Sequence, residues 1–302
     1  MKFCIDRGVL GNCPLLEISS EEFQGLKEAK RRLFILVGVE EKFDMLVQNY
    51  LEYEQVLLTL ALEHMVSHNT EYSTTHDARS LINRRLANLL TMARLYIDQV
   101  KHDVSRLFGP DAAETSLICQ SFRTQYDSLL GYRLLEAIRN SMQHRELPIS
   151  SLVYPSVRED RGNAFVIRHQ VVARISVEHL RADSKLKPVI VAELQERGDW
   201  HDITPFVREY VEGIARVHEG IRSATDEFVR PWSDMLHNAL RNYSTLLNQS
   251  VSRAVVYRLT DDDNEAERFA IFTEVIDRLK RLRSMGLPTR ISQWFVTSET
   301  VR

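Results

Sequence analysis

The chain has 302 residues, 44% of them apolar and 27% charged, with a formal net charge of −3. That size buries a substantial core without covalent staples and carries a soft expectation of about two domains. The slightly acidic balance excludes a protein-wide basic field of the kind that binds nucleic acid nonspecifically, so such a partner has to be held by a local patch. Three cysteines, Cys4, Cys13 and Cys119, form no CxxC pair and fit ordinary thiols in a reducing compartment. The opening MKFCIDRGVLGNC lacks the apolar core of a signal peptide, and the run Leu33 to Val39 is far too short for a membrane span. The expected localisation is cytoplasmic, with no membrane partner.

Residues 1–18 read as extended or irregular, broken by Gly8, Gly11 and Pro14. Ser19 and Glu22 have capping-box spacing, and a helix is expected from there to about Val37, interrupted at Gly38. A second helical pattern covers about 40–67, with Phe43, Leu46, Val47, Tyr50, Leu51, Val56, Leu57, Leu60 and Ala61 recurring mostly at steps of three and four. After a polar loop a long helix is expected from Thr75–Asp77 to Phe108, stopped by Gly109 and Pro110. The next helix is expected from about Ala113 to Arg145 as one piece. Residues 148–182 are rich in β-branched positions and read as a strand or hairpin inserted between helices. Pro188 to Glu196 reads as a short helix. Thr204–Pro205 opens a long one, which Pro231 should kink or split before it resumes to about Leu247. Val255 to Leu259 reads as a short strand. A final helix is expected over about Asn264 to Met285, opened by the acidic run Asp261–Asp263 and closed by Lys280, Arg281 and Arg283, as the helix dipole favours. The expected class is mainly α. Its parts are an N-terminal extension 1–39 with strand and helix, a helical bundle 40–245 with a small β insertion at 148–182, and a helical C-terminal extension 246–302.

Chemistry concentrates in Gly131 to Pro148, GYRLLEAIRNSMQHRELP. At ~100° per residue, Leu134, Leu135, Ala137, Ile138, Ser141 and Met142 share one arc. Tyr132, Glu136, Arg139, Asn140 and Gln143 share the other, with His144 at its edge. Arg139 and His144 have the spacing R-x-x-x-x-H. Spacing alone decides nothing, because Arg174 and His179 repeat it inside the β-like stretch ARISVEHL. What separates the two matches is Asn140 directly after the arginine and the position late in a long amphipathic helix.

There the sequence resembles the HEPN superfamily. Its signature is an arginine followed by a polar residue, with a histidine four to six positions later, near the end of the third long helix of a four- or five-helix bundle. IRNSMQH has that form, and the resemblance extends loosely over about 40–245. It implies a HEPN-like bundle and a metal-independent endoribonuclease, homodimeric through the motif helix, with no cofactor. It implies Arg139 and His144 as catalytic residues and Asn140 as support; Glu136 and Gln143, on the same face, are further supporting candidates. Histidine suits proton transfer at neutral pH, and arginine offers a permanently charged fork to phosphate oxygens. Such chemistry leaves a 2′,3′-cyclic phosphate and a 5′-hydroxyl. Proteins of this superfamily often act as toxins or in antiviral defence, so an antitoxin or a defence protein is a possible partner. In one well-marked toxin–antitoxin version a tyrosine stands two positions after the motif histidine; here that position is Glu146. The alternative reading is a non-catalytic HEPN-like module that binds a partner protein or RNA.

Other patterns carry less. His64 and His68 lie four apart, but HMVSH lacks the glutamate of an HExxH zinc protease, and a solvated helix end is the expected reading. Arg84 and Arg85 read as a solvated face. P-loop, Rossmann and G-x-S-x-G signatures are missing from the sequence, so nucleotide hydrolysis and serine-hydrolase chemistry have no support in it.

Overall fold

The computed structural model describes residues 1–8, 13–68, 71–142, 147–162, 164–182, 186–262 and 264–296. In chain order the described elements are β1 (Lys2–Asp6), β2 (Leu16–Glu17), α1 (Ser20–Ser67), α2 (Tyr72–Phe108), α3 (Ala113–Ser128) and α4 (Leu130–Met142). There follow β3 (Ser151–Val153), β4 (Ser156–Arg161), β5 (Ala164–His169), β6 (Val172–Ser176), α5 (Val177–Arg181), α6 (Pro188–Gln195) and β7 (Trp200–Asp202). The chain continues through α7 (Thr204–Leu247), β8 (Arg253–Leu259), β9 (Glu265–Phe272) and α8 (Glu274–Ser284). The protein is thus mainly helical with small antiparallel sheets. Among the described residues no helix is long and apolar enough to cross a membrane.

The chain divides into two compact units. The first joins Met1–Lys42, Asp103–Pro110 and Gly220–Gly286. Its sheet has the order β2-β1-β8-β9, all antiparallel. Ile5, Ala254, Val256 and Ile271 turn from that sheet into a core completed by Phe23, Leu33 and Leu36 of α1, Leu236 and Tyr243 of α7, and Ile276 and Leu279 of α8. The N- and C-terminal segments, read from sequence as separate extensions, therefore share one core. The terminal segment is also not purely helical. Residues 265–272, expected in a helix, form β9, because pairing with β8 satisfies their backbone and puts Ile271 into the core. Asp261 and Asp262 consequently lie in a turn rather than at a helix start, and Asp261 pairs with the Met1 ammonium group; Asp263 lies outside the described residues.

The second unit joins Phe43–His102, Asp111–Glu219 and Leu287–Arg302. Its insertion comprises the three-stranded sheet β3-β6-β7 and the separate hairpin β4-β5. Two close approaches seat α4 on α7. A Cβ at Gly131 would stand 2.7 Å from the Phe206 carbonyl oxygen, and one at Gly213 2.9 Å from the Tyr132 ring. Only hydrogen fits at either place.

Neither Gly38 nor Pro231 ends a helix, and an unexpected break falls at Leu129. Gly38 does not interrupt α1: the cost of a mid-helix glycine is about 1 kcal/mol, and the burial of Leu36 and Val39 beside it outweighs that. The expected single helix 113–145 is two, because Leu129 is extended at φ −111°, ψ 118°. Arg139 and Asn140 therefore lie on α4 rather than late in a third helix. Pro231 stays inside α7. It and Glu227 are exposed, so the carbonyl freed by the missing N–H can be hydrated, while Trp232, Leu236 and Leu240 hold the helix down.

Candidate functional site

The motif helix α4 buries Leu130, Gly131, Tyr132, Leu134, Leu135 and Ile138. Tyr132, expected on the polar arc, goes inward: its ring stands edge-on to Tyr210, with centroids 4.8 Å apart. Glu136 follows it inward. The Tyr210 hydroxyl donates to Glu136 Oε1 at 2.6 Å, and Arg94 Nη1 donates to Oε2 at 3.2 Å. Burial, helped by the Glu136 charge, pushes both phenols above their ordinary range, so they remain protonated donors at neutral pH. Both Glu136 oxygens are thus occupied in holding the helix, and the polar arc is narrower than periodicity suggests. A tyrosine and a glutamate are amphipathic enough to fill a core position when partners wait there.

Arg139 and Asn140 remain on the outer side, at the last turn. Arg139 is half-buried and Asn140 exposed. Arg139 Nη1 donates to Asn140 Oδ1 at 3.0 Å, and the guanidinium has no carboxylate partner among the described residues. An arginine held by a neutral amide keeps its full charge for an incoming anion. Gln143 and His144 lie outside the described residues, as do Arg145 and Glu146.

The chain returns at Leu147 and is fixed at once. Asn83, itself buried, donates Nδ2 to the Ile149 carbonyl and accepts from the Ile149 N–H, each at 3.1 Å. Arg79 Nη1 donates to the Ser150 carbonyl at 3.0 Å. These residues border a cleft of about 360 Å³ whose other polar lining includes His76, Ser80 and His179. His179 belongs to the second R-x-x-x-x-H match. Its arginine partner, Arg174, stays on β6, 5.5 Å from the Trp200 ring centroid. Two imidazoles and a guanidinium thus line a cleft that begins where the motif segment ends. The sequence signal for this was weak, since His76 and Arg79 sit at a helix start with no motif of their own.

His64 and His68 are joined by His169 of β5, with ring centroids 5.7, 5.8 and 6.2 Å apart. His169 Nδ1 bonds Ser156 Oγ at 2.9 Å. Partial burial, with His68 and His169 nearby, lowers the His64 pKa. Among the described residues no group of three His, Cys, Asp or Glu is arranged to hold a metal ion. Two arginines of the other basic patterns are committed to carboxylates: Arg85 pairs with Glu52, and Arg283 with Asp226 and Glu40.

No protein-family model, curated protein or solved structure matches the chain.

Proposed function

We propose that this protein is a HEPN-type, metal-independent endoribonuclease that acts as a homodimer. The observation that carries the reading is Arg139 at the outer end of α4, beside Asn140 and without a carboxylate partner among the described residues, in the sequence R-N-x-x-x-H. In this reading His144 moves the proton of the ribose 2′-hydroxyl and of the leaving 5′-oxygen, in the manner of a general base and acid. Arg139 binds the phosphate oxygens as negative charge builds on them. Asn140 orients the guanidinium. The strand leaves along the cleft lined by His76, Arg79 and His179. A second copy supplies a facing motif, and the biological role is that of a toxin or a defence effector.

The test is cleavage of a mixed RNA pool in EDTA by the wild type, Arg139→Ala and His144→Ala. The expected result is cleavage with 2′,3′-cyclic phosphate ends by the wild type, reduced about 100-fold or more in each variant, the scale of a lost acid–base or charge-stabilising group. Equal activity in all three sinks the reading, as does an inactive wild type that is folded and dimeric.

A further inference from the structure

In the first unit, α1 carries Lys27, Lys30, Arg31, Phe34 and Lys42 at the steps of one helix face. That face opens on a cleft of about 450 Å³, within the ~300–1,000 Å³ range of small-ligand sites. Asp103, Arg106, Glu267 and Phe269 complete the lining. Five cations therefore meet two carboxylates.

The available carboxylates are shared thinly. Lys27 pairs with Glu267, which also takes Arg258. Lys42 and Arg106 divide Asp103 between them. Arg31 is held by Glu28, a residue it shares with Arg32, and donates to the Arg106 carbonyl at 3.0 Å. Lys30 has no carboxylate partner among the described residues. Its ammonium stands 5.5 Å from the ring centroids of both Phe34 and Phe269, and burial lowers its pKa. Phe34 is 43% exposed, so its ring is open to a ligand in the cleft. The floor at Gly38 is open: a Cβ there would meet only Lys42 Nζ, at 4.0 Å.

A cluster of like charges repels itself, and partial desolvation strengthens that repulsion. An anion relieves it. Aromatic faces beside the cations provide a surface on which a planar base stacks. We propose that this cleft binds a nucleotide, with its phosphates on Lys30, Lys42 and Arg106 and its base against Phe34 and Phe269. Drawn to a phosphate, the Lys30 ammonium leaves the two rings and frees their faces. This site shares no residue with the Arg139 motif and does not rest on the ribonuclease reading.

The experiment is isothermal titration of the full chain, at low salt, with ATP, AMP, adenosine and a 12-nucleotide single-stranded RNA as separate probes. Saturable ATP binding is expected, weakening in the order ATP, AMP, adenosine. Lys30→Glu should weaken ATP by about tenfold or more, the effect of losing one charge-assisted contact. Phe34→Ala should weaken ATP and AMP alike, and Arg139→Ala should leave both unchanged. Lys30→Met, which deletes the charge without reversing it, guards against a folding defect in Lys30→Glu, and circular dichroism checks both. The proposal is overturned by no saturable ATP binding, by adenosine binding as tightly as ATP, by wild-type affinity in both folded Lys30 variants, or by RNA binding that is tighter than ATP binding and is lost in the Lys30 variants.

Discussion

The Tyr210 hydroxyl donates to Glu136 Oε1 at 2.6 Å, and through that bond α7 grips the helix that carries Arg139. The tyrosine is fully buried and the Glu136 side chain is 12% exposed, so the pair is shielded from water. Arg94 closes the arrangement from α2 by taking the second carboxylate oxygen. Three helices of the second unit thus converge on one carboxylate, three residues before the candidate arginine.

Tyr210→Phe removes the donor and leaves Glu136 Oε1 buried without it. The expected loss is about 1–3 kcal/mol, the cost of an unsatisfied buried polar group. Urea denaturation monitored by circular dichroism reads it. A variant as stable as the wild type would show that water reaches Oε1 and replaces the hydroxyl.

Asn83 works in the same way on the far side of the motif segment. Among the described residues it serves both backbone groups of Ile149, with 3.1 Å bonds on each. Asn83→Ala strands a buried N–H and a buried C=O, at about 1–3 kcal/mol for each. Hydrogen exchange gives a sharper readout than global stability: the Ile149 amide should lose its protection while amides in the first unit keep theirs.

How much of this was legible in the sequence depends on whether the deciding interaction is local. The starts of α1 and α7 were readable, because Ser19–Glu22 and Thr204–Pro205 are local signals; Ser19 Oγ and Glu22 Oε2 do make the reciprocal capping bonds, at 3.0 and 2.8 Å. The end of α2 at Phe108 was readable for the same reason. The β9 strand was not, since Glu265–Phe272 is extended only because β8 lies beside it. Nor was the break at Leu129, where Gly131 and Tyr132 dock α4 on α7. The outward placement of Arg139 and Asn140 followed from periodicity. The inward turn of Tyr132 and Glu136 did not, because it depends on Tyr210 and Arg94, distant in sequence. The face of α1 that bears Lys27, Lys30, Arg31, Phe34 and Lys42 has a readable helical step, but its opposing wall comes from α2 and β9.

Glu40 holds the first unit together at one buried point. Arg222 reaches it with Nη2 at 2.6 Å, and Arg283 Nε stands 3.2 Å away. The side chains are 2%, 12% and 16% exposed, respectively. Glu40→Ala leaves two guanidinium groups together without their shared counter-charge. Breaking a buried pair from one side costs about 3–5 kcal/mol, and the loss should fall at the upper end here. Glu40→Gln keeps an acceptor and should lose less. Chemical denaturation of the two variants beside the wild type checks both the size and the order; equal losses would mean that shape, not charge, sets the effect.

Acid should act through Glu28. Hydrogen bonding from Arg31, opposed by partial burial and reinforced by Arg32, lowers its pKa from 4.5 to about 2. A carboxylate depressed in the folded state binds fewer protons there than in the unfolded chain, so its contribution is complete above the ordinary value of 4.5 and is lost as pH falls toward about 2. Its side chain is 42% exposed, and solvent screening keeps the contribution small. Glu28→Gln should therefore be less stable than the wild type at pH 7, and the gap should close steadily below pH 4.5. Urea midpoints of the two proteins, measured from pH 7 downward, give the gap directly. Arg31 and Arg32 also make the effect salt-dependent, so the neutral-pH gap should narrow in high salt. A gap that is independent of both pH and salt would assign the loss to packing of the Glu28 side chain rather than to its charge.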